Sequence, residues 1–333
     1  MRVLVATSRN KCGHAFLPDH LLVGFDDLRR RGVVSELALW PEAPWLRLKE
    51  DPARPGSSLP APGQRDECQI DSDQALELLT ALTGPADLVV GSTHAAEELS
   101  MAARGYPHAK VALVDGDDHA RDQRGAAGHT HYFKRELSLG ATFGRPLPFT
   151  YPARRMPLHA RDGGRAPRIV YHASDNCGQA GGRMDIVRGC RALPEGQHDV
   201  GTLDHRTHRL LPEALHAKLE RALLGVHWNP YAASPPWGHG WDANRFWENC
   251  AHGLLNISLR PWIEIPHPFT DGLNVVWVDA PGQVAERARE LLRHPARARE
   301  MARASRAHFL RWHSAEARAR YVMEECGLLE RGA

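Results

Sequence analysis

Apolar positions in this chain come in short dense runs, separated by segments where they recur every three or four residues. Arg2–Thr7 (RVLVAT) is one such run, short enough for a single strand and apolar enough to be buried on both faces. From His20 to Arg31 the residues Leu21, Leu22, Phe25 and Leu28 share one helical face, and Gly32 is placed to end that helix. Val33–Trp40 reads as a second strand, Ser72–Leu82 as a helix and Asp87–Gly91 (DLVVG) as a strand. Thr93 is a candidate cap for the helix that follows, and Lys110–Val114 (KVALV) is the next strand. Strand and helix alternating at this spacing predict a doubly wound parallel sheet.

Two stretches interrupt the alternation. Pro41–Asp71 is rich in Pro, Gly and Ser and reads as an irregular excursion. Thr150–Ala166 (TYPARRMPLHARDGGRA) has no apolar period and reads as a linker. Beyond it the alternation restarts. Strands are expected at Arg168–His172, Leu224–His227, Leu254–Leu259 and Val275–Val278, with helices at Arg183–Leu193, Leu211–Leu223, Asn244–His252 and from Gln283 to Glu325. The expected fold class is therefore α/β, with two Rossmann-like doubly wound domains facing across a cleft. The first spans 1–150, a linker 151–166, and the second 167–333 including the closing helices.

Composition narrows the function classes. At 333 residues, 42% hydrophobic and 25% charged, the chain is an ordinary globular sequence. No run approaches the ~20 apolar residues needed to span a bilayer, and the start, MRVLVATSRNKCGH, does not read as a signal peptide. A cytoplasmic protein without a membrane span is expected. Six cysteines with no CxxC pair argue against a zinc ribbon and against a dense disulfide framework. No HExxH occurs, and His205 with His208 sits in a polar segment (DHRTH) that reads as a solvated turn, so no metal site is expected. A net charge of +2 gives no support to a nucleic-acid partner.

In open α/β sheets ligands bind beyond the carboxyl ends of the strands, at helix N-termini. The segment Gly225–Leu259 (GVHWNPYAASPPWGHGWDANRFWENCAHGLLNISL) has that form: a strand, a glycine-bearing loop, a helix near Asp242 or Asn244, and a further strand after Gly253. The loop His172–Ile186 (HASDNCGQAGGRMDI) has it as well, with Gly181, Gly182 and Arg183 at the start of a helix. A glycine-lined helix start with an arginine suits a diphosphate without metal. Asp115, Asp117 and Asp118 cluster at a strand end as a base, a hydroxyl-binding group, or a turn holding Lys134 and Arg135, with the turn favoured. His14, in the loop after the first strand, is a candidate base, with His20 as its competitor.

The Gly225–Leu259 segment resembles the donor-binding region of GT-B glycosyltransferases. The continuation IPHPFTDGLNVVWVDAPGQVAERARELLRHPARAREMARASRAHFLRWHSAEAR is similar to their closing region. LVDGDDHARD, HYFKREL and RPLPF in the first half resemble the same family, closest to the CgeB-like (spore-maturation) glycosyltransferases. The resemblance implies a metal-independent transfer of a sugar from a nucleoside diphosphate sugar, UDP-sugar favoured, to an acceptor hydroxyl or amide. The acceptor class (glycan, small molecule, protein or nucleic acid) stays open, and no cofactor is implied beyond the donor substrate. It also implies that Glu248 accepts hydrogen bonds from the donor ribose. Gly240 stands where many retaining members carry a second glutamate, near the transferred sugar. Arg183 and Arg245 are the diphosphate candidates, and Trp228 and Asn229 lie in the loop against which the base would rest. His14 and Asp117 are the catalytic candidates. The rival readings are a sugar-nucleotide 2-epimerase, a non-catalytic sugar-nucleotide-binding protein and, further off, a nucleic-acid-modifying transferase.

Overall fold

The computed structural model describes residues 1–6, 16–40, 82–117, 122–126, 128–152, 165–174, 182–203, 212–228 and 241–331. The expected helix at Ser72–Leu82 lies outside them except for its last residue, and so do the Pro41–Asp71 excursion and the body of the linker. The chain folds as two compact units. One holds the N-terminal part through Pro152 together with His313–Ala333, and the other is built from Ala153–Trp312.

The first unit contains strands β1 (Arg2–Ala6), β2 (Glu36–Trp40), β3 (Leu88–Ser92), β4 (Lys110–Asp115), β5 (His131–Lys134) and β6 (Arg145–Pro146). They form one parallel sheet in the order β2-β1-β3-β4-β5-β6. Helix α1 (Phe16–Arg30) joins β1 to β2, and α2 (Ala96–Gly105) joins β3 to β4. Parallel strands covered by helices on both faces must be apolar throughout, and β3 is buried at all five positions. Thr93 does not cap α2. A 3-10 turn, Thr93–Ala95, comes first, so the α-helix begins at Ala96.

The second unit contains β7 (Ala166–Ser174), α3 (Arg183–Arg191), β8 (His198–Leu203), α4 (Pro212–Arg221), β9 (Ala222–His227), α5 (Asn244–His252), β10 (Leu255–Leu259), β11 (Val276–Val278), α6 (Pro281–Arg293) and α7 (Pro295–Trp312). Its sheet is also parallel, in the order β11-β10-β9-β7-β8. Counted from the first strand of each unit, both orders run second, first, third, fourth, fifth, and the first sheet adds β6 as a sixth strand. Arg165, just before β7, fastens this unit. Its buried guanidinium donates to the carbonyls of Leu219 and Ala222 at 3.1 and 2.8 Å and to that of His252. These are carbonyls at the C-terminal ends of α4 and α5 and the start of β9, groups that otherwise lack helical partners.

The last helix, α8 (Ala315–Glu325), belongs to the first unit, although the sequence groups it with the second domain. The backbone N–H of Ala315 donates to the carbonyl of Tyr151, Arg145 pairs with Glu325 at 2.7 Å, and Phe133 meets Tyr321 edge-on. Helical periodicity shows that α8 has an apolar face but carries no information about which sheet that face covers. Its close approach to α1 requires Gly24: a Cβ there would stand 2.0 Å from the Ala315 carbonyl oxygen. Gly→Ala in an exposed helix interior gains about 1 kcal/mol. Gly24→Ala is expected instead to cost about 1–3 kcal/mol through overpacking, read as a lower urea midpoint; a raised midpoint would contradict this packing of α8 on α1.

Candidate functional site

The order of each sheet fixes where a ligand can enter. The direction of strand addition reverses between β7 and β9 in the second unit, and a crevice opens at the carboxyl ends of strands flanking such a reversal. After β7 the described chain resumes at Gly182, in left-handed backbone (φ 84°), and Arg183 opens α3. Gly182 serves packing as well, since a Cβ there would lie 2.0 Å from Cγ of Pro281 at the start of α6. After β9, Trp228 is buried, and the chain returns at Trp241 to enter α5.

Helix α5 is positioned by an aromatic nest. Phe246 touches Trp241, Trp247, Phe269 and Trp277, and Trp241 donates from Nε1 to the Leu259 carbonyl at 2.9 Å. The helix begins at Asn244, as the sequence indicates, but neither Asp242 nor Asn244 is its N-cap. That place falls to Ala243, because Asp242 is used to accept from Trp247 Nε1 at 2.5 Å. Asn256 of β10 accepts from Asn249 at 2.7 Å and donates to the Phe246 carbonyl at 2.9 Å, locking helix to sheet.

Charge gathers at this edge. Arg245 Nη1 lies 2.7 Å from Glu248 Oε2, one turn along α5, and the Glu248 side chain is fully buried while Arg245 is partly exposed. Arg183 and Arg245 both act on two buried groups nearby. The Tyr171 hydroxyl is pushed up to about 12 by burial, with both arginines pulling the other way. His227 is driven down to about 3, chiefly by burial, and both arginine charges push it in the same direction. A neutral His227, whose Nδ1 is 2.8 Å from Ser258 Oγ, therefore sits beside two cations. Arg245 and Glu248 offset one another. Arg183 and the amino ends of α3 and α5 leave the edge electropositive, which suits a diphosphate. A buried carboxylate suits a vicinal diol, and the side chains covering Glu248 must turn aside before a ligand reaches it.

The carboxyl edge of the first sheet carries a different cluster. Lys134 and Asp115 form a fully buried ion pair at 2.9 Å, and Tyr132 donates to the other Asp115 oxygen at 2.5 Å. Burial pulls the Lys134 ammonium down, and Asp115 opposes that shift. Asp117 accepts from Gln123 Nε2 at 2.6 Å and stands 2.8 Å from His94 Nε2, directly after β3. Of the expected partners of the aspartates, Lys134 pairs with Asp115, whereas Arg135 lies over the Phe149 ring at 4.2 Å. His20, the competitor for a base, is fully buried and edge-on to Tyr151.

The structure thus brings Arg183, Arg245 and Glu248 to one edge, with Trp228 at the end of the adjoining strand. Asp117 belongs to the other unit. His14, Asn229 and Gly240 lie outside the described residues, as do His205 and His208. Among the described residues no group of three or more His, Cys, Asp or Glu side chains gathers to hold a metal ion. No described helix is long and apolar enough to cross a membrane. Sequence reading passed over His94 and Tyr171. The signal for His94 is its place two residues beyond a buried strand, at an edge where ligands bind.

Residues 202–324 match the model of a family described as glycosyl transferase-like. No curated protein matches the chain. Solved structures match almost all of it. A glycosyltransferase from Rickettsia africae ESF-5 is 9% identical, with 99% of each chain covered and a TM-score of 0.57. Anabaena HepE in complex with UDP is 8% identical, over 98% of this chain and 100% of that one, with a TM-score of 0.54. An alpha-glucosyltransferase in complex with UDP-glucose and DNA containing an abasic site is 10% identical over 98% and 99%, with a TM-score of 0.55. The fold is GT-B. In this GT-B chain the glycosyl transferase-like match covers α4 through most of α8, and so includes Arg245 and Glu248.

The His94–Asp117 contact has a measurable consequence. Its hydrogen bond to Asp117, the largest cause, raises the His94 pKa above the ordinary 6.5. A folded pKa above the unfolded one adds stability that is fully present below the unfolded pKa and is lost as pH rises through the folded pKa. NMR titration should therefore find His94 above 6.5, with the value falling back in Asp117→Asn; an unchanged value in that variant would show that the pair is not formed.

Proposed function

We propose that this chain is a glycosyltransferase that moves a sugar from a nucleoside diphosphate sugar, UDP-sugar first among them, to an acceptor hydroxyl or amide without a metal ion. The observation that carries the reading is the convergence of Arg183, Arg245 and buried Glu248 at the carboxyl edge of the second sheet of a GT-B fold. UDP bound to Anabaena HepE, and UDP-glucose bound to the alpha-glucosyltransferase, support the choice of nucleotide.

In this reading the amino ends of α3 and α5, with Arg183, stabilise the diphosphate as charge builds on it during departure. Arg245 releases Glu248 to the ribose hydroxyls, and the loop at Trp228, Asn229 and Gly240 faces the base and the sugar. The neutral His227 ring, at the end of β9, is held by Trp241, Phe246 and Ser258. On the first unit, Asp117 with His94, and His14, are the candidates for receiving the acceptor proton. Kinship with the CgeB-like branch and a cytoplasmic site of action belong to the same proposal, on the motifs quoted above.

Ligands that bind only the folded state raise its stability, by about 2.7 kcal/mol at a hundredfold excess over Kd. UDP is expected to raise the melting temperature more than GDP, CDP or dTDP, with no change on adding EDTA. Glu248→Ala and Arg183→Ala should each weaken UDP binding about tenfold or more, or roughly 1.4 kcal/mol. No response to any nucleotide at saturating concentration would sink the donor site. Binding followed by conversion of the sugar without acceptor would favour the epimerase, and binding with no turnover on an acceptor panel the non-catalytic protein.

A further inference from the structure

At the opposite end of the second sheet, a cavity of about 230 Å³ opens between the amino ends of the strands and helix α7. Its floor is set by Arg165, Leu223 and Gly253, which lie just before or at the start of β7, β9 and β10. Its wall is the stripe Arg299, Arg303 and Arg306, spaced at i, i+4 and i+7 on one face of α7. Those three residues span about 10 Å along the axis.

Three arginines on one face repel one another, and like charges at this spacing destabilise a helix. Three other arginines of this unit have partners: Arg287 pairs with Glu290 at 3.0 Å, Arg260 with Asp279 at 3.2 Å, and Arg311 lies over Trp312 at 4.5 Å. Among the described residues no ion pair answers Arg299, Arg303 or Arg306, and Nε of Arg306 is buried without a hydrogen-bond partner. The guanidinium of Arg165 adds positive charge beneath them while donating to the backbone carbonyls that it caps. The site therefore combines a cavity, concentrated positive charge and an unsatisfied buried donor, and nothing in the fold of the unit calls for that combination.

We propose that this groove is a second anion site, separate from the nucleotide edge, that binds a phosphomonoester. Guanidinium groups present paired donors that match the oxygens of a phosphate, and an array of them suits a dianion better than a carboxylate. The volume is several times that of a water molecule (about 30 Å³) and below the range of about 300–1,000 Å³ typical of larger organic ligands. It holds a phosphate group with a small organic tail rather than a nucleotide. The same group could arrive on a soluble metabolite or as a lipid headgroup.

Isothermal titration of the full chain with glycerol 3-phosphate, beside cosedimentation with phosphatidylcholine vesicles with and without phosphatidic acid, separates the two sources. Binding in either arm that weakens with added salt and falls at least about tenfold in Arg303→Gln/Arg306→Gln supports the site. Arg287→Gln should bind as wild type, and Arg303→Lys, which keeps the charge and loses the fork, should fall between. Should the double variant misfold, the exposed Arg303→Gln alone carries the comparison. UDP binding should be unaffected throughout, so failure of this site and failure of the donor site are read separately. Wild-type protein that binds neither probe, or variants that bind as wild type does, would overturn the proposal.

Discussion

Every strand pair in both sheets runs parallel, and that constraint organises the rest of the molecule. A parallel strand cannot return by a tight turn; most connections cross a face of the sheet with a helix, as α1 to α5 do here. All strand carboxyl ends therefore collect at one edge of each sheet, where ligands bind in folds of this class. Arg183, Trp228 and Arg245 reach a common edge because the neighbouring strands β7 and β9 end together, though Arg183 lies far from the other two in sequence. The same constraint places Asp115, Asp117 and His94 together on the other sheet, from β4 and β3.

Burying charge is the cost of these arrangements, and the chain meets it in two ways. In the first unit Asp115 and Lys134 satisfy one another inside the sheet edge, with Tyr132 supplying a further donor. Removing one member of such a pair is far more damaging than replacing both, because it strands a charge in a poorly solvated place. In the second unit Arg165 spends its donors on backbone carbonyls, which ties two helix ends and a strand into one piece. Both devices sit at sheet ends, where apolar packing thins out and only polar contacts can hold the geometry.

Much of this was legible in the sequence. The alternation of dense apolar runs with helical faces gave the parallel α/β class, and the start and end of α5 fell at Asn244 and Gly253 as expected. β5 (HYFK) escaped notice because a lysine sits at a position that the register buries. β8 (HDVGTL) escaped because an edge strand paired only with β7 can carry His, Asp and Gly. Arg183 could be chosen because a residue at a helix start after a strand faces the ligand edge, and Arg245 and Glu248 because their segment resembles the GT-B donor-binding region. The His94–Asp117 contact could not, since it depends on two neighbouring strands whose loops are 23 residues apart. The spacing of Arg299, Arg303 and Arg306 is plain in the sequence, but its meaning depends on the cavity in front of it.

The first unit is discontinuous in the chain: its α1 packs on α8, and the entire second unit is spelled out between them. A ribosome delivers Ala153–Trp312 in full before it delivers the helix that closes the earlier unit. During synthesis the later-encoded unit can thus finish folding first, while the apolar face of α1 waits uncovered for the last twenty or so residues. Loss of a short C-terminal piece would therefore injure the N-terminal half of the protein, and spare the half in which the break occurs.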